Sequence, residues 1–403
     1  MVMKSVEQNS GSVRVENGVG SRRTWIYMFP ALMDFGLASF MFFASVKASW
    51  FGVGPVMIGV LGAVWGLVYC VMGLVLSRFA SRKNAFAFMV VGLLGNLLLS
   101  FLAGWSRSYL HLVWVLGFVA VSVSFFFIGF QLFMEEGSRL SLPKATAWYT
   151  LAWSGGLAFG SLTEGLFVSR GSLLALFPVC VSSLIILVLL FVVKRKAQRP
   201  AAAEQPVETI PAPVAERSLR RRYAIIGWIS IVSAALVTQG MRFLLPEFAL
   251  HDYGFNAQGV GVVLFLMMIS QGVVGFVLGF FPGAIHRLAP HLWAKGAVFA
   301  GFLIVILFPG GAGMVLFAMF VGAYAGHGFF KGVLYALGYH EKGGRNVGIN
   351  EALVGIAGVL GPLFFGTAIF FGRGLFYLLP VVILAMSAFV QLMVIRRAGR
   401  NSE

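Results

Sequence analysis

The sequence predicts an all-α membrane protein with twelve transmembrane helices arranged as two six-helix pseudo-repeats. Three observations lead to this prediction: a strongly apolar composition, apolar runs long enough to cross a bilayer, and one polar segment that divides the chain. Hydrophobic residues make up 59% of the 403 positions and charged residues only 11%. A water-soluble protein of this size could not bury so much apolar surface.

Apolar runs of about 20 residues, the length that crosses ~30 Å of hydrocarbon, recur along the whole chain. Six precede the polar segment, at 25–46, 53–76, 86–104, 110–133, 146–168 and 174–193. Six follow it, at 223–246, 257–281, 292–309, 314–338, 347–371 and 374–395. The ninth run is the weakest, because it is short and carries Lys295 near its start. The loops are mostly short, so we expect consecutive helices to be antiparallel neighbours.

The polar segment 194–222 is rich in Pro, Ala and Glu and has a basic cluster at each end. Such a composition cannot bury enough apolar surface to fold alone, so it predicts a flexible linker. The predicted organisation is an N-terminal cytoplasmic tail at 1–23, a six-helix bundle at 24–193, the cytoplasmic linker at 194–222, a second six-helix bundle at 223–395 and a cytoplasmic tail at 396–403. The first tail lacks the small-residue cleavage site of a signal peptide.

The positions of Lys and Arg predict the orientation. With the N-terminus inside, 25 of the 30 cations fall on the cytoplasmic side; the others are Lys47, Arg107, Arg170, Arg242 and Arg373. This bias predicts a multi-pass protein of a bacterial inner (plasma) membrane with both termini in the cytoplasm. The net charge of +16 comes from cations that cluster between the apolar runs, so we predict no nucleic-acid partner.

The two halves also contain an internal repeat of glycines. At an offset of 202, three glycines of the first half match three of the second: Gly52 with Gly254, Gly59 with Gly261, and Gly73 with Gly275. At an offset of 201, Gly160 and Gly165 match Gly361 and Gly366. Small residues allow helix backbones to approach closely where lipid supplies no hydrophobic driving force. The repeat therefore predicts equivalent helix contacts in the two halves.

With these features the chain resembles the major facilitator superfamily over essentially its whole length. The superfamily's signature between helices two and three runs Gly, three residues, Asp-Arg, one residue, Gly, then basic residues. Gly73, Arg78 and the basic end match it here, whereas Ser77 replaces the aspartate and Ala80 the second glycine. The arginine-centred helix-four motif of proton-driven drug exporters is absent, because the run 110–133 contains no Arg. The resemblance implies a carrier whose helices one, four, seven and ten line a central cavity.

Polar residues within the predicted helices are candidates for the transport site, because charge at membrane depth usually faces a cavity or a partner. Asp34 lies about 10 residues into helix one, ~15 Å along it and near the midplane. His327, with Tyr324 one turn earlier on helix ten, could meet Asp34 across the cavity. Gln131 and Gln239 fall on presumed cavity helices and could bind a solute. For Asp34 and His327, a purely structural role is the alternative.

Further charged residues suggest ion pairs. Lys331 and Glu351 lie at comparable depth on helices ten and eleven, so they could pair with each other. Glu351 could instead hold Arg78 or Arg82 across the halves, and the Lys331 ammonium could snorkel to water. Three residues at similar depth on the outer side are candidates for gating or for simple interface contacts: Glu164, Arg242 and Glu247.

The predicted function is a secondary active transporter that moves a small organic solute by alternating access, with proton coupling through Asp34. The chain has no nucleotide-binding GxxxxGK[ST] loop, no HExxH, no GxSxG and no clustered His and Cys, which disfavours ATP-driven transport and an intramembrane enzyme. A transport-inactive sensor or scaffold is the other alternative. We predict no cofactor and no metal. The expected partners of the predicted monomer are the solute, protons and the lipid bilayer.

Overall fold

A computed structural model of the chain describes residues 24–81, 83–135, 140–170, 174–197, 214–281, 289–338 and 343–400. Twelve long helices lie within these ranges, and they confirm the predicted all-α membrane fold. They are α1 Met28–Trp50, α2 Pro55–Leu76, α3 Ala85–Gly104, α4 Tyr109–Glu135, α5 Leu142–Phe167, α6 Phe177–Ala197, α7 Val214–Asp252, α8 Ala257–Leu278, α9 Ala289–Leu307, α10 Gly311–Gly338, α11 Gly343–Phe371 and α12 Leu375–Arg400. Short 3-10 turns lie at Thr24–Tyr27, Val168–Arg170 and Leu174–Leu176.

Eleven of the described helices are long and apolar enough to cross a membrane. The exception is α5, which carries Lys144, Glu164 and several Ser and Thr residues over its 26 positions. It packs against α1 on one side and α8 on the other, so protein rather than lipid covers much of its surface.

The helices extend past several predicted boundaries. α6 continues to Ala197 and α7 begins at Val214, so both enter the segment predicted as linker, and α12 continues to Arg400. The predicted N-terminal tail and positions 198–213 of the linker lie outside the described residues.

The same helix pairs pack together in the N-terminal half (α1–α6) and in the C-terminal half (α7–α12). In the first half, α1 contacts α5 and α6, α4 contacts α2 and α3, and α3 contacts α6. The equivalent pairs of the second half repeat this pattern: α7 with α11 and α12, α10 with α8 and α9, and α9 with α12. The two halves meet mainly where α2 packs on α11 and α5 packs on α8.

Four of the five repeated glycine pairs lie at equivalent places in the two halves. The exception is Gly73, whose Cβ position is open, whereas a Cβ atom on Gly275 would meet Thr150. Gly52 and Gly254 have φ angles of 72° and 62° in the turns before α2 and α8, a conformation that glycine adopts without steric cost. A Cβ atom on Gly59 would meet the backbone of Pro362, and one on Gly261 would lie 2.8 Å from the Ser161 carbonyl oxygen. The repeat therefore marks turns and close helix contacts rather than chemistry.

Candidate functional site

A central cavity lies between the two halves. Helices α1, α2, α4 and α5 line it from the N-terminal half, and α7, α8, α10 and α11 line it from the C-terminal half. We call the end of the bundle where α6 ends and α7 begins the linker end, and the opposite end, where α1 turns into α2, the far end.

The N-terminal half supplies most of the aromatic wall. Its rings at the cavity are Trp65, Tyr69, Phe127, Tyr149 and Trp153. The rings of Trp65 and Tyr69 are stacked, with centroids 5.1 Å apart and an interplanar angle of 11°. From the C-terminal half, Phe329 contributes a ring, which meets Trp153 edge-on at 4.9 Å. Planar rings in this arrangement offer a broad apolar surface to a solute.

The C-terminal half supplies most of the polar wall, namely Thr238, Gln239, Arg242, Gln271, Asn350 and Glu351. Several buried polar atoms at the cavity have no hydrogen-bond partner among the described residues. They are Gln271 Oε1, Asn350 Oδ1 and, from the first half, Trp65 Nε1. Such groups are available to a bound solute, because a buried polar atom left without a partner is unfavourable.

Asp34 is the carboxylate that the N-terminal half adds to this cavity. It lies on α1 and is buried, with 6% of its surface exposed. Arg242 on α7 and Glu351 on α11 interact electrostatically with it. Two carboxyl groups and one guanidinium therefore share the cavity lining.

Polar contacts across the cavity join the halves. The Tyr69 hydroxyl donates to Glu351 Oε2 at 2.8 Å, and Gln271 Nε2 donates to the Ser154 hydroxyl at 2.9 Å. Nearer the far end, the Ser45 hydroxyl donates to the Phe243 carbonyl oxygen at 2.6 Å. The first contact links α2 with α11, the second links α5 with α8, and the third links α1 with α7.

A family model described as the Major Facilitator Superfamily matches residues 24–341. The chain belongs to the major facilitator superfamily. It is thus a membrane transport protein by family and not an enzyme. No curated protein sequence was found to match it.

Solved structures of superfamily transporters share the fold. A bacterial homologue of the human lysosomal transporter Spinster, inward-facing and unoccupied, has a TM-score of 0.67 at 15% identity, over 93% of this chain and 95% of the other. The same protein in an occupied inward-facing conformation has a TM-score of 0.61 at 15% identity, over 94% and 98% of the two chains. The human organic anion transporter MFSD10 (TETRAN) has a TM-score of 0.60 at 14% identity, over 91% and 98%.

Of the residues predicted to line the central cavity, two do so. Asp34 and Gln239 both line it, whereas His327 and Tyr324 do not. The cavity face of α10 carries Phe329 and Val333, which are four residues apart. At about 100° per residue, His327, which is two residues before Phe329, and Tyr324, which is five residues before it, both point well away from that face. The side chain of Gln131 lies outside the described residues.

His327 and Tyr324 lie inside the C-terminal half instead. The Tyr324 hydroxyl is 2.6 Å from the Ser233 hydroxyl of α7. The His327 ring meets the His291 ring of α9 edge-on, with centroids 4.6 Å apart. The predicted meeting with Asp34 is therefore not observed.

The predicted ion-pair residues occupy different places. Lys331 is fully buried, so its ammonium does not snorkel to water. Glu351 lines the cavity, and Arg78 is exposed after the end of α2. Glu164 is fully buried on α5, and neither of its carboxyl oxygens meets a donor in the described part of the chain. Arg82 lies outside the described residues.

Several cavity residues were missed by reasoning from the sequence. The aromatic ones, such as Trp65, Tyr69 and Trp153, look like ordinary membrane-helix residues, because their direction depends on how each helix is rotated in the bundle. Gln271 and Asn350 carried a usable signal, since an amide within an apolar helix seldom faces lipid.

Proposed function

We propose that the protein is a secondary active transporter that moves a small amphipathic organic solute by alternating access, with Asp34 carrying a coupling proton. The observation that carries this proposal is the division of the cavity into an aromatic wall from one half and a polar wall from the other. A solute with an apolar body and a polar head fits such a cavity. Its body packs on the Trp65–Tyr69 stack, and its head meets the polar groups of α7, α8 and α11.

Contacts between α1 and α7 support a closed far end. Ser45 on α1 bonds to the backbone of Phe243 on α7, and Arg242 Nη2 donates to the Met41 sulfur at 3.1 Å. In alternating access, rocking of the two halves would separate these contacts and open the cavity at that end. The cation distribution supports a cytoplasmic linker end, so the far end is expected to face outward.

Proton coupling is assigned to Asp34 because its carboxyl group reaches the cavity from α1 and lies within the electrostatic influence of Arg242. A carboxyl group that is hydrated in one state and enclosed in the other can load and release a proton. Rocking of the halves would alter both its hydration and its distance from Arg242, which lies in the opposite half.

Transport by full-length protein in liposomes loaded with a pH-sensitive dye tests the proposal. The panel comprises aromatic acids, amides and amines of similar size. In the wild-type protein, a carried solute should move protons and accumulate under a pH gradient. Asp34→Asn should abolish accumulation but retain solute exchange, because asparagine keeps the shape and cannot titrate. Asp252→Asn, which changes a carboxylate outside the cavity lining, is the control.

Two results would contradict the proposal. Unchanged accumulation by Asp34→Asn under a pH gradient would exclude Asp34 as the proton site. No movement of any member of the panel by the wild-type protein would favour the transport-inactive sensor or scaffold.

Orientation is tested with single cysteines in intact cells and an impermeant thiol reagent. Arg107 is exposed between α3 and α4, at the far end. Arg107→Cys should react, and Ala202→Cys in the predicted linker should be protected. The reverse pattern would mean that the linker end faces outward.

A further inference from the structure

The central cavity contains a guanidinium whose hydrogen-bonding capacity the described residues do not meet. Arg242 donates to Gln239 Oε1 at 3.4 Å and to the Met41 sulfur at 3.1 Å. A guanidinium has five N–H donors, the amide contact is long, and a thioether sulfur is a weak acceptor. No carboxylate of the described residues forms a salt bridge with Arg242, although the side chain lines the cavity.

The acidic groups of the cavity do not take up this capacity. Asp34 interacts with Arg242 through space rather than by direct contact within the described structure. Glu351 accepts a hydrogen bond from Tyr69 on the opposite half. The titratable or charged side chains that share the cavity with Asp34 are thus Arg242 from α7, Glu351 from α11, Tyr69 from α2 and Tyr149 from α5.

We propose that Arg242 binds the acid group of an amphipathic organic anion and that a proton on Asp34 accompanies this anion. The inference rests on the proposed function and names its substrate class. A guanidinium binds carboxylate and related acids through two parallel N–H···O bonds, which amide and thioether acceptors cannot replace. The aromatic wall supplied by Trp65, Tyr69, Phe127, Tyr149 and Trp153 would hold the apolar body.

An anion fits the cavity better than a cation does. A cationic head would compete with Arg242 for the negative charge of Asp34 and would be repelled by the guanidinium. An acid group instead supplies the acceptors that Arg242 lacks. Buried charges are favourable only when they are paired and hydrogen-bonded, so the unmet donors of Arg242 indicate the complementary charge.

The proposed pairing couples the proton to the anion. Ionised Asp34 attracts Arg242 and repels an incoming acid group, whereas protonated Asp34 does neither. Proton binding at Asp34 therefore strengthens anion binding at Arg242. By thermodynamic linkage, the anion strengthens proton binding by the same factor. The two would then cross the membrane together.

Three probes with one aromatic body and different heads test the charge preference. They are 1-naphthaleneacetic acid, its neutral amide 1-naphthaleneacetamide, and the cationic 2-(1-naphthyl)ethylamine. Binding to the purified full-length protein is followed by quenching of tryptophan fluorescence, because Trp65 and Trp153 line the cavity. The acid should bind at least tenfold more tightly than the amide, and the amine most weakly. Lowering the pH while the acid probe stays ionised should tighten its binding by up to about tenfold per pH unit, as expected for one linked proton.

Variants of the cavity residues show which side chain causes the preference for the acid probe. Arg242→Gln should remove the preference, so that the acid and the amide bind with similar affinity, and a melting temperature close to that of the wild-type protein shows that the variant is folded. Arg242→Lys should keep part of the preference, because it retains the charge but not the bidentate geometry. Asp34→Asn should bind the acid with an affinity that no longer depends on pH. Arg373→Gln, a side chain with 64% of its surface exposed, should match the wild-type protein.

The outcomes separate this inference from the proposed function. Wild-type protein that binds the acid no better than the amide overturns the inference, and so does an unchanged preference in Arg242→Gln. Tight binding of the amine or amide would overturn the anion assignment and leave the amphipathic cavity intact. Equal and negligible binding of all three would count against both.

Discussion

The N-terminal and C-terminal halves have the same helix packing but differ in the polar groups that they bury. The interior of the first half is dominated by aromatic and aliphatic side chains, among them the fully buried Phe40, Phe43, Phe126 and Phe130. The interior of the second half contains a basic cluster that we define as His291, Lys295, His327 and Lys331, all at least nine-tenths buried. This basic cluster comes from α9 and α10, each of which contributes a His and a Lys four residues apart.

The difference in buried polar groups shows that the repeat preserves backbone packing but not the polar side chains. Glycines at turns and at close helix contacts recur between the halves, because the backbone geometry recurs. The polar contacts between equivalent helices can differ. The equivalent helix pairs α3–α6 and α9–α12 are joined by Asn96 and Ser183 at 3.4 Å in one half and by Lys295 and Gln391 at 2.6 Å in the other. The two halves therefore share a backbone arrangement, and the charged groups that are buried within one half lie mainly in the second.

The largest effect is expected at the basic cluster. Lys331 is fully buried, and if it forms a buried pair with Glu351, replacing it with Met should lower the free energy of unfolding by about 3–5 kcal/mol, because the carboxylate is then left without its compensating charge. Glu351→Gln should also destabilise the protein. If the two side chains form a pair, the double variant should recover much of the loss. Stability is measured by denaturant titration of detergent-solubilised protein.

Strictly additive losses would show that Lys331 and Glu351 do not interact. The same cycle with Tyr69→Phe would then measure how far Glu351 contributes to the contact between the halves, since Tyr69 donates to it at 2.8 Å.

A smaller difference is expected from the matched pair on α3 and α12. Gln391 accepts from Lys295 and donates to the Ile226 carbonyl at 3.1 Å and the Ser230 hydroxyl at 2.8 Å. Gln391→Leu should destabilise the protein by about 1.5–3 kcal/mol, the range for a hydrogen bond to a charged group.

Asn96→Leu is the matched variant in the first half. Asn96 makes a long bond to Ser183, and its Oδ1 atom has no partner among the described residues, so its replacement should be nearly neutral or stabilising. Equal losses in the two variants would contradict the contrast between the halves.

The sequence was sufficient for the fold but only partly for the site. The twelve apolar runs predicted the helices, because membrane spans depend on local composition. The expectation that consecutive helices are neighbours was only partly right: α3 packs on α4 and α9 on α10, but α1 packs mainly on α5 and α8 on α10. Asp34 and Gln239 lie at the cavity, whereas His327 and Tyr324 lie inside the C-terminal half. The difference arises because a residue's depth along a helix can be counted from the sequence, whereas the rotation of that helix depends on packing. On α10 the cavity face is set by Phe329 and Val333, and a shift of two residues reverses the direction of a side chain.

Two glycines of α2 differ in how closely they approach the C-terminal half. A Cβ atom on Gly66 of α2 would clash with the backbone of Gly358 and Val359 on α11, whereas one on Gly73 would have nothing within 4 Å. Gly66→Val should therefore lower stability by about 1–3 kcal/mol through overpacking, and Gly73→Val should have almost no effect. A melting temperature of Gly66→Val equal to that of the wild-type protein would contradict the α2–α11 packing. Loss of stability in both would show that Gly73 has a neighbour outside the described residues.

The smallest effect is expected at Lys47, the buried lysine of the N-terminal half. Its ammonium donates to the carbonyl oxygens of Ala103 and Gly104 at 3.1 and 2.8 Å, at the end of α3. A cation at that position stabilises a helix by interacting with its last carbonyl groups and its dipole, typically by about 0.3–1 kcal/mol. Lys47→Met should cause a loss of this size. Lys47→Arg keeps the charge and should lose less. The losses from Lys47→Met and Lys331→Met, measured in the same denaturant titration, should therefore differ several-fold. If they are equal, the basic cluster is stabilised no differently from an ordinary helix cap, and the proposed contrast between the halves does not hold.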